Sequence, residues 1–391
     1  MYIERELTPT LVRLAGLFPA IFLTGPRQAG KSTLLQHAFP NHRYLNLEQT
    51  DLQEEATDDP RGFINRLGGA DVIIDEAQRA PSLFSYLQVE IDSNQKPGRF
   101  ILSGSQNFLM LRAISQSLAG RVGVLTLPPL SLREQPPAQQ PTTADTWMLN
   151  GGYPRLIATG DMTPQDFFPS YLTTYVQRDV RAETGVRDLI RFTNFLQLLA
   201  TRVGSPLNLA GISREIGADA RTISSWLAIL ESSYLIFRLS PWHTNLGKRI
   251  IKAPKLYFYD TGLLCSLLGL TTPDALLASP ERGHIFENAI IAEFAKRFFA
   301  QGINPPISYW RTETSSAAEI DLITHWQGKM SLYEIKSAQT ANRKFASTIQ
   351  NFNPPDSPIS NRQVIYDGPD GTVLQGIHFT NWRALAAFDL G

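Results

Sequence analysis

The sequence predicts an α/β fold class, with a phosphate-binding strand, loop and helix near the start and a second α/β unit at the end. Three observations carry this. Gly25-Pro26-Arg27-Gln28-Ala29-Gly30-Lys31-Ser32 follows the apolar run Ala20-Ile21-Phe22-Leu23 after one residue. Ala70-Asp71-Val72-Ile73-Ile74-Asp75-Glu76 is a β-branched run that ends in two carboxylates. Near the C-terminus, a helical pattern opening at Phe286-Glu287-Asn288 precedes strand patterns at Ile307–Trp310, Glu319–Ile323 and Ser331–Lys336.

The first run reads G-x-x-x-x-G-K-[ST]. Small residues there let the backbone fold around phosphates and aim its N–H groups at them. Lys31 supplies a point charge and Ser32 a hydroxyl for Mg²⁺, and the helix from Ser32 to about His37 adds its positive end. Gly25, Pro26, Arg27, Gln28, Ala29, Gly30, Lys31, Ser32 and Thr33 are therefore the candidate contacts, with ATP and Mg²⁺ as the ligands. Arg27 and Gln28 are long for such a cradle and are expected to point outward from it.

Asp75 and Glu76 end a buried strand, and parallel α/β sheets bind ligands beyond the carboxyl ends of their strands. Asp75 is expected to hold Mg²⁺, directly or through water, and Glu76 to orient and deprotonate the attacking water. A third strand, Phe100-Ile101-Leu102, runs into Ser103-Gly104-Ser105-Gln106-Asn107, where Ser105, Gln106 or Asn107 can sense the γ-phosphate. Arg121, just ahead of Val122–Leu125, can reach a phosphate in its own site or a neighbour's, or pair on the surface.

At 391 residues the chain predicts two or three domains. Apolar content of 43% with 18% charged residues excludes a disordered chain. Thirty-six basic residues balance thirty-six acidic ones, which excludes a strongly basic chromatin-like protein but leaves room for a local basic groove. The single cysteine, Cys265, lies in an apolar stretch and is expected in the core; one thiol makes neither a disulfide nor a zinc cage. Leu14 to Leu23 contains Pro19, lacks a basic leader and runs into the phosphate loop, so it reads as a strand rather than a signal peptide. No run approaches the roughly 18 apolar residues of a membrane span. These features predict a cytoplasmic protein.

Glu134 to Ala144 crowds proline, glutamine and threonine and is expected to be an exposed loop at the end of the first domain. Phe167 to Val180 reads as a helix, with Arg178, Asp179 and Arg181 at its end. Further on, Leu209–Ile216 forms one helix and Gly217-Ala218 a turn. Asp219 then caps a helix through about Leu230, with Ile223, Trp226, Leu227 and Leu230 on one face. The strand Tyr234–Leu239 completes the order of a winged helix-turn-helix. Arg221, Thr222, Ser225 and Glu231 would face outward, either to contact DNA or on a rigid spacer. The run Lys248-Arg249-Ile250-Ile251-Lys252-Ala253-Pro254-Lys255 is a denser phosphate-contact candidate.

The residues Gly25–Ser32, Val72–Glu76, Leu102-Ser103-Gly104-Ser105 and Leu118-Ala119-Gly120-Arg121 together resemble the AAA+-type ATPases (AAA_14) of bacteria and archaea that join an ATPase core to a C-terminal DUF4143 region. The resemblance extends through Gly151-Gly152-Tyr153-Pro154-Arg155, Tyr175–Val180 and Tyr257–Gly262. It implies ATP binding and hydrolysis, makes Arg178 a candidate contact across a domain or subunit boundary, and leaves a homo-oligomer open, since AAA+ proteins commonly form rings.

In the last domain, alternation puts Glu334 and Lys336 on one face of their strand, and a hairpin brings Asp321 beside them. Two carboxylates and a lysine so placed can bind Mg²⁺ and activate a water for phosphodiester cleavage. The set resembles the PD-(D/E)XK nuclease core. That resemblance makes Glu287, Asp321 and Glu334 metal ligands and gives Lys336 the water, although Ile320 stands where a proline often precedes the aspartate. The expected organisation is a P-loop AAA+-type core over 1–135, a helical linker over 136–204, a winged helix over 205–255 and a restriction-endonuclease-like α/β domain over 256–391. The expected function is ATP-driven action on DNA or RNA. The alternative is an ATP-dependent switch or assembly protein whose nuclease-like domain only binds.

Overall fold

The computed structural model describes residues 1–104, 117–175, 188–243, 253–312, 318–354 and 357–388. The N-terminal unit runs α1 (Thr8–Ala15), β1 (Ala20–Thr24), α2 (Lys31–Ala38), β2 (Arg43–Asn46), α3 (Thr50–Asp58), α4 (Pro60–Arg66), β3 (Val72–Asp75), α5 (Leu83–Ser93), β4 (Phe100–Ser103) and β5 (Val122–Thr126). Its five strands form one parallel sheet in the order β2-β3-β4-β1-β5. Alternation along the strands feeds two cores, because successive side chains point to opposite faces. Ala20, Phe22, Val72, Ile74, Phe100 and Leu102 pack toward α4 and α5, while Ile21, Leu23, Ile73 and Ile101 pack toward α1 and α2. Helices on both faces explain why the strands read as continuous apolar runs.

The middle region holds α6 (Ala144–Asn150), α7 (Pro154–Thr159), α8 (Pro164–Tyr175), α9 (Leu189–Ala200), α10 (Leu209–Ile216), α11 (Ala220–Ser232) and the antiparallel pair β6 (Ile236–Leu239) and β7 (Lys255–Phe258). Asp219 caps α11 by accepting from Thr222 N at 2.9 Å, and Ile223, Trp226, Leu227 and Leu230 are buried, as the spacing predicts. β6 starts at Ile236 rather than Tyr234, whose φ of +55° breaks the extended run. The helix expected over 167–180 begins at Pro164 and is described to Tyr175. Arg178, Asp179, Arg181, Lys248, Arg249, Lys252 and the trio Ser105, Gln106 and Asn107 lie outside the described residues.

After α12 (Thr261–Leu267) and α13 (Pro273–Ala278) comes α14 (Arg282–Ala300), then β8 (Ile307–Arg311), β9 (Glu319–Trp326), β10 (Lys329–Lys336), α15 (Arg343–Asn351), β11 (Ile359–Tyr366), β12 (Thr372–Leu374) and β13 (Ile377–Asn381). The sheet order is β12-β13-β11-β10-β9-β8, with β10 parallel to β11 and antiparallel to β9. The sequence suggests that α14 buries one apolar side, but every residue from Ile285 to Phe299 is buried. It is a central helix packed between the middle helices, β7 and the last sheet, so its polar groups need internal partners. Asn288 supplies one such set, accepting from Phe258 N at 2.7 Å and donating to Phe258 O at 2.9 Å.

The expected exposed loop over Glu134–Ala144 is only partly so. Pro137 to Gln140 are exposed, but Glu134 forms a buried pair with Arg5 and Gln135 is buried. The partner lies 129 residues upstream, where local composition gives no hint of it. No helix among the described residues is long and apolar enough to cross a membrane.

Candidate nucleotide cleft and carboxylate cluster

The loop between β1 and α2 turns on two glycines. Gly25 has φ +145°, and a Cβ there would sit 2.1 Å from Leu127 O; Gly30 has φ +91° and starts α2. Lys31 is buried, and its Nζ donates to Gly25 O and Pro26 O, each at 2.9 Å. The ammonium thus lies across the loop, bound to carbonyls that a phosphate can replace. Ser32 is half-buried behind it, Thr33 and Gln28 are exposed, and Arg27 is half-exposed.

β4 separates β1 from β3, so Asp75 sits two strands from the loop, with Ser103 between. Asp75 Oδ2 accepts from Tyr44 OH at 2.6 Å, and Oδ1 accepts from Ser103 Oγ and from Glu76 N at 3.1 Å. With both oxygens so occupied, Asp75 fits a metal held through water better than a direct ligand. Burial and the neighbouring Asp75 carboxylate raise the Tyr44 hydroxyl's pKa, and Ser32 lies within its hydrogen-bonding reach. Glu76 takes the left-handed conformation at φ +53°, and its carboxylate accepts from Gln78 Nε2. Outside glycine such a φ is uncommon, and here it turns the side chain out of the strand into the cleft.

That cleft has a volume of about 710 Å³. One wall is the loop, with Arg27, Lys31, Ser32 and Glu76; the other is Pro154, Arg155 and Thr159 of α7 with Thr174 and Tyr175 of α8. Arg5 pins the loop from behind: it donates to Ala29 O and Pro128 O, each at 2.7 Å, and to Glu134 at 2.9 Å. Arg121 is a correction to the expected nucleotide contacts. It precedes β5 at the end where Val122 pairs with Ala20, whereas the loop leaves the other end beyond Thr24. About 16 Å of strand therefore separates it from the phosphates of its own site, and it pairs instead with Asp92 at 2.5 Å.

The second cluster is in the last domain. The β8–β9 register places Ser308 opposite Ile323 but Trp310 opposite Ile320, so β9 carries one extra residue around Asp321. Such a bulge re-aims a side chain. Asp321 Oδ2 accepts from Ile335 N at 2.8 Å and from Lys336 Nζ at 3.2 Å, and Lys336 Nζ lies 2.6 Å from Glu334 Oε1. The three residues meet as the strand alternation predicts. Burial first, and then the Asp321 charge, push the Glu334 carboxyl up to about 8. The same causes raise Glu287. Burial alone would depress Lys336, but Asp321 and Glu334 outweigh it and raise its pKa.

Lys255 is a further correction. The sequence offers it to a phosphate, but it is buried, 3.2 Å from Glu287 Oε1 and paired with Glu319. Tyr257 OH also donates to Glu287. Lysines, not a shared opening, therefore stand nearest these carboxylates. Among the described residues no three His, Cys, Asp or Glu side chains are grouped to hold a metal ion. Sequence reasoning missed Arg5, Tyr44, Glu319 and the structural role of Lys255, because each acts through a residue distant in the chain. Cys265 is buried as expected.

Residues 17–135 match the AAA domain family (AAA_14), 142–274 a domain of unknown function (DUF8612) and 282–385 a domain of unknown function (DUF4143). The first match assigns the N-terminal unit to the AAA-type P-loop fold, the fold of ATP-binding and ATP-hydrolysing proteins. Among solved structures, a Walker-type ATPase of Pyrococcus abyssi aligns at 15% identity and TM-score 0.45, covering 67% of this chain and 95% of its own. The uncharacterized protein Rv2008c of Mycobacterium tuberculosis is 32% identical over 376 residues, covering 94% of this chain and 81% of the relative, and Mb2031c of Mycobacterium bovis aligns with the same values. At that identity over nearly its whole length, the chain belongs to the family of these two mycobacterial proteins, and it joins an AAA domain to a DUF4143 region.

Proposed function

We propose that the protein hydrolyses ATP in the cleft between the phosphate loop and α7–α8, and that hydrolysis controls action on nucleic acid by the C-terminal domain. The observation that carries the first half is Lys31 lying across the loop's own carbonyls, with Glu76 turned into the same cleft. Bound with ATP, Mg²⁺ would neutralise charge on the β- and γ-phosphates, with Ser32 as a ligand and Asp75 behind it through water. Glu76 takes the proton of the attacking water. The water oxygen bonds to the γ-phosphorus, the bond to the β–γ bridging oxygen breaks, and ADP and phosphate leave.

Two features support the second half. The order α14, β8, β9, β10, α15, β11, with β10 and β11 parallel, supports a restriction-endonuclease-like reading. Within it, Asp321, Glu334 and Lys336 meet, and Glu334 Oε2 is buried with no hydrogen bond. An unsatisfied buried carboxylate oxygen fits a cation position, so Asp321 and Glu334 would hold Mg²⁺ there, with Glu287 near and Lys336 on the water. The α10–α11 pair with the β6–β7 hairpin supports a winged-helix reading. Arg221 is exposed on it, with no acidic partner among the described residues. One observation favours the second reading, a catalytically silent binding domain: Lys255 already neutralises Glu287 and Glu319.

ATP hydrolysis assayed with single-stranded DNA, double-stranded DNA and RNA, beside Mg²⁺- and Mn²⁺-dependent cleavage by wild type and Asp321→Ala, separates the two. Stimulated hydrolysis with cleavage lost in Asp321→Ala supports a nuclease, and stimulation without cleavage supports the silent domain. No stimulation, binding or cleavage with any nucleic acid refutes both.

A further inference from the structure

A second cavity, of about 660 Å³, opens where the middle region meets the last domain. The chain leaving β6 runs alongside β8: Tyr309 N donates to Ser240 O at 3.2 Å, Trp242 N donates to Tyr309 O at 2.5 Å, and Pro241 bridges to Tyr309 in parallel. This carries Trp242 into the core of the last domain, with Trp310 of β8 and Phe352 just past the end of α15. Phe352 lies across both indoles, 4.7 Å from Trp310 with the rings inclined at 61° and 5.6 Å from Trp242 at 78°. Neither contact is a parallel stack. Trp147 and Trp382, by contrast, are buried and stack on each other at 4.8 Å and 7°.

Arg362 fixes the end of α15, which forms one wall. Its guanidinium donates to Ile349 O at 2.8 Å, Phe352 O at 3.1 Å and Asn353 Oδ1 at 2.7 Å. The Asn353 side-chain oxygen is thereby engaged, and the remaining polar group of that side chain is its amide donor. Ser347 and Asn351, one turn apart on α15, add exposed polar groups to the same opening. No carboxylate, ammonium or guanidinium lines the cavity among the described residues. Charge lies beside it. Arg311 follows Trp310 and is exposed, and Glu319, 3.8 Å from it, is already paired with Lys255. In the sequence, Lys248, Arg249 and Lys252 follow His243 with no acidic residue before Asp260. An aromatic, uncharged, hydrogen-bonding pocket beside basic chain suits a flat heterocycle carried on an anionic backbone.

We propose that this cavity binds an unpaired base of a single-stranded nucleic acid, which stacks on Trp310 and hydrogen-bonds to the end of α15. The inference rests on the nucleic-acid reading of the last domain and gives that reading a substrate class. Inside a duplex a base is stacked on its neighbours and paired along its edge, so only an unpaired or extruded base reaches such a pocket. Every base has a π-face, so stacking tolerates sequence, while the amide and hydroxyl groups of α15 and Asn353 meet the base edge. The register links the pocket to the carboxylate cluster. Trp310 pairs with Ile320, and Asp321 is the next residue of β9. A base held at Trp310 therefore keeps its strand within a few nucleotides of Asp321, Glu334 and Lys336.

The test measures, by fluorescence anisotropy on the full chain, the affinity for a labelled oligothymidylate, an abasic strand of the same length and a duplex, with wild type, Trp310→Leu and Ser347→Leu. Wild type is expected to bind the thymidylate at least tenfold more tightly than the abasic strand. Trp310→Leu keeps an apolar side chain but no indole, and its affinity for the thymidylate falls to that for the abasic strand. Ser347→Leu narrows the opening from an exposed position, so its thermal midpoint and its ATP hydrolysis without nucleic acid stay at the wild-type values while thymidylate affinity drops at least threefold. Wild type that binds the thymidylate and the abasic strand equally, or prefers the duplex, overturns the pocket assignment and leaves the nucleic-acid reading standing. So does a base preference kept in full by both variants. Wild type that binds no nucleic acid overturns that reading and this inference together, and capture of N-acetyl-tryptophanamide by such protein would assign the cavity to an aromatic anchor of a protein partner instead.

Discussion

The phosphate-loop cleft and the carboxylate cluster both gather charge in or near the protein interior, and they neutralise it in opposite ways. In the cleft the cations outnumber their local acids, and Lys31 rests on backbone carbonyls. Carbonyls are weaker partners for an ammonium than a phosphate, so the site is poised for an anionic ligand. In the cluster the acids meet lysines from their own chain: Lys255 reaches Glu287 and Glu319, and Lys336 reaches Asp321 and Glu334. The difference teaches that the first site rests its lysine on backbone carbonyls, whereas the second is held together by internal ion pairs and leaves one buried carboxylate oxygen, Glu334 Oε2, without a hydrogen bond among the described residues.

The largest expected effect tests the cleft's chemistry. Glu76→Gln keeps shape and hydrogen bonding but removes the base, so hydrolysis should fall by about 10²–10⁴-fold while ATP binding persists. Unchanged turnover in a steady-state phosphate-release assay would remove Glu76 from that role. Next comes the cluster's reliance on its own cations. Lys255→Ala removes the buried cation between Glu287 and Glu319, leaving Glu319 only the half-exposed Arg311 at 3.8 Å, and denaturant unfolding should show a loss of about 3–5 kcal/mol. The double variant Lys255→Met/Glu287→Gln should recover part of it, and an equal or larger loss there would show that the pair is not what stabilises this region.

Lys31→Ala is expected to reduce hydrolysis by about 10²–10³-fold and, unlike Glu76→Gln, to weaken ATP binding as well. Retained ATP affinity in a filter-binding or calorimetric measurement would break the view that its ammonium trades carbonyls for phosphate. The smallest effect is a pH dependence. Glu334 titrates near 8 in the folded chain against 4.5 for the unperturbed group. Between those values the native state holds a proton that the unfolded chain has released, so this group's contribution makes stability fall as pH rises from about 4.5 to about 8, then level off. In Glu334→Gln that fall should flatten, which denaturation midpoints at pH 5, 6.5 and 8.5 in chelator will show; parallel wild-type and variant profiles would contradict the raised value.

Much of the cleft was legible because its residues are contiguous. Gly25 to Ser32 is a local backbone device, and Val72 to Glu76 is a strand with its carboxylates at the end, so spacing alone locates both. Asp321, Glu334 and Lys336 were also legible, since strand alternation and a short hairpin carry them together. The misreadings share one cause. Lys255 reads as a phosphate contact in a basic run, Arg121 as either a phosphate contact or a surface ion-pair partner, and Glu134 as the start of an exposed loop. In each case the deciding partner or distance, Glu287, the length of β5, or Arg5, belongs to another part of the chain.

By itself, then, the sequence determined the chemistry that short-range geometry can hold: a phosphate loop, a carboxylate-tipped strand, a capped helix pair and a strand carrying Glu-Ile-Lys. Only the tertiary structure decided which charges are spent internally and which face a ligand. It buried α14 on all sides, so that its charged residues had to find partners across domains, and it set Pro154 against the phosphate loop through a glycine turn pinned by Asp260 and Leu130. The physical reason is that the cost of a buried charge depends on its nearest opposite charge in space, and distance in space is fixed by packing between elements rather than by spacing along the chain.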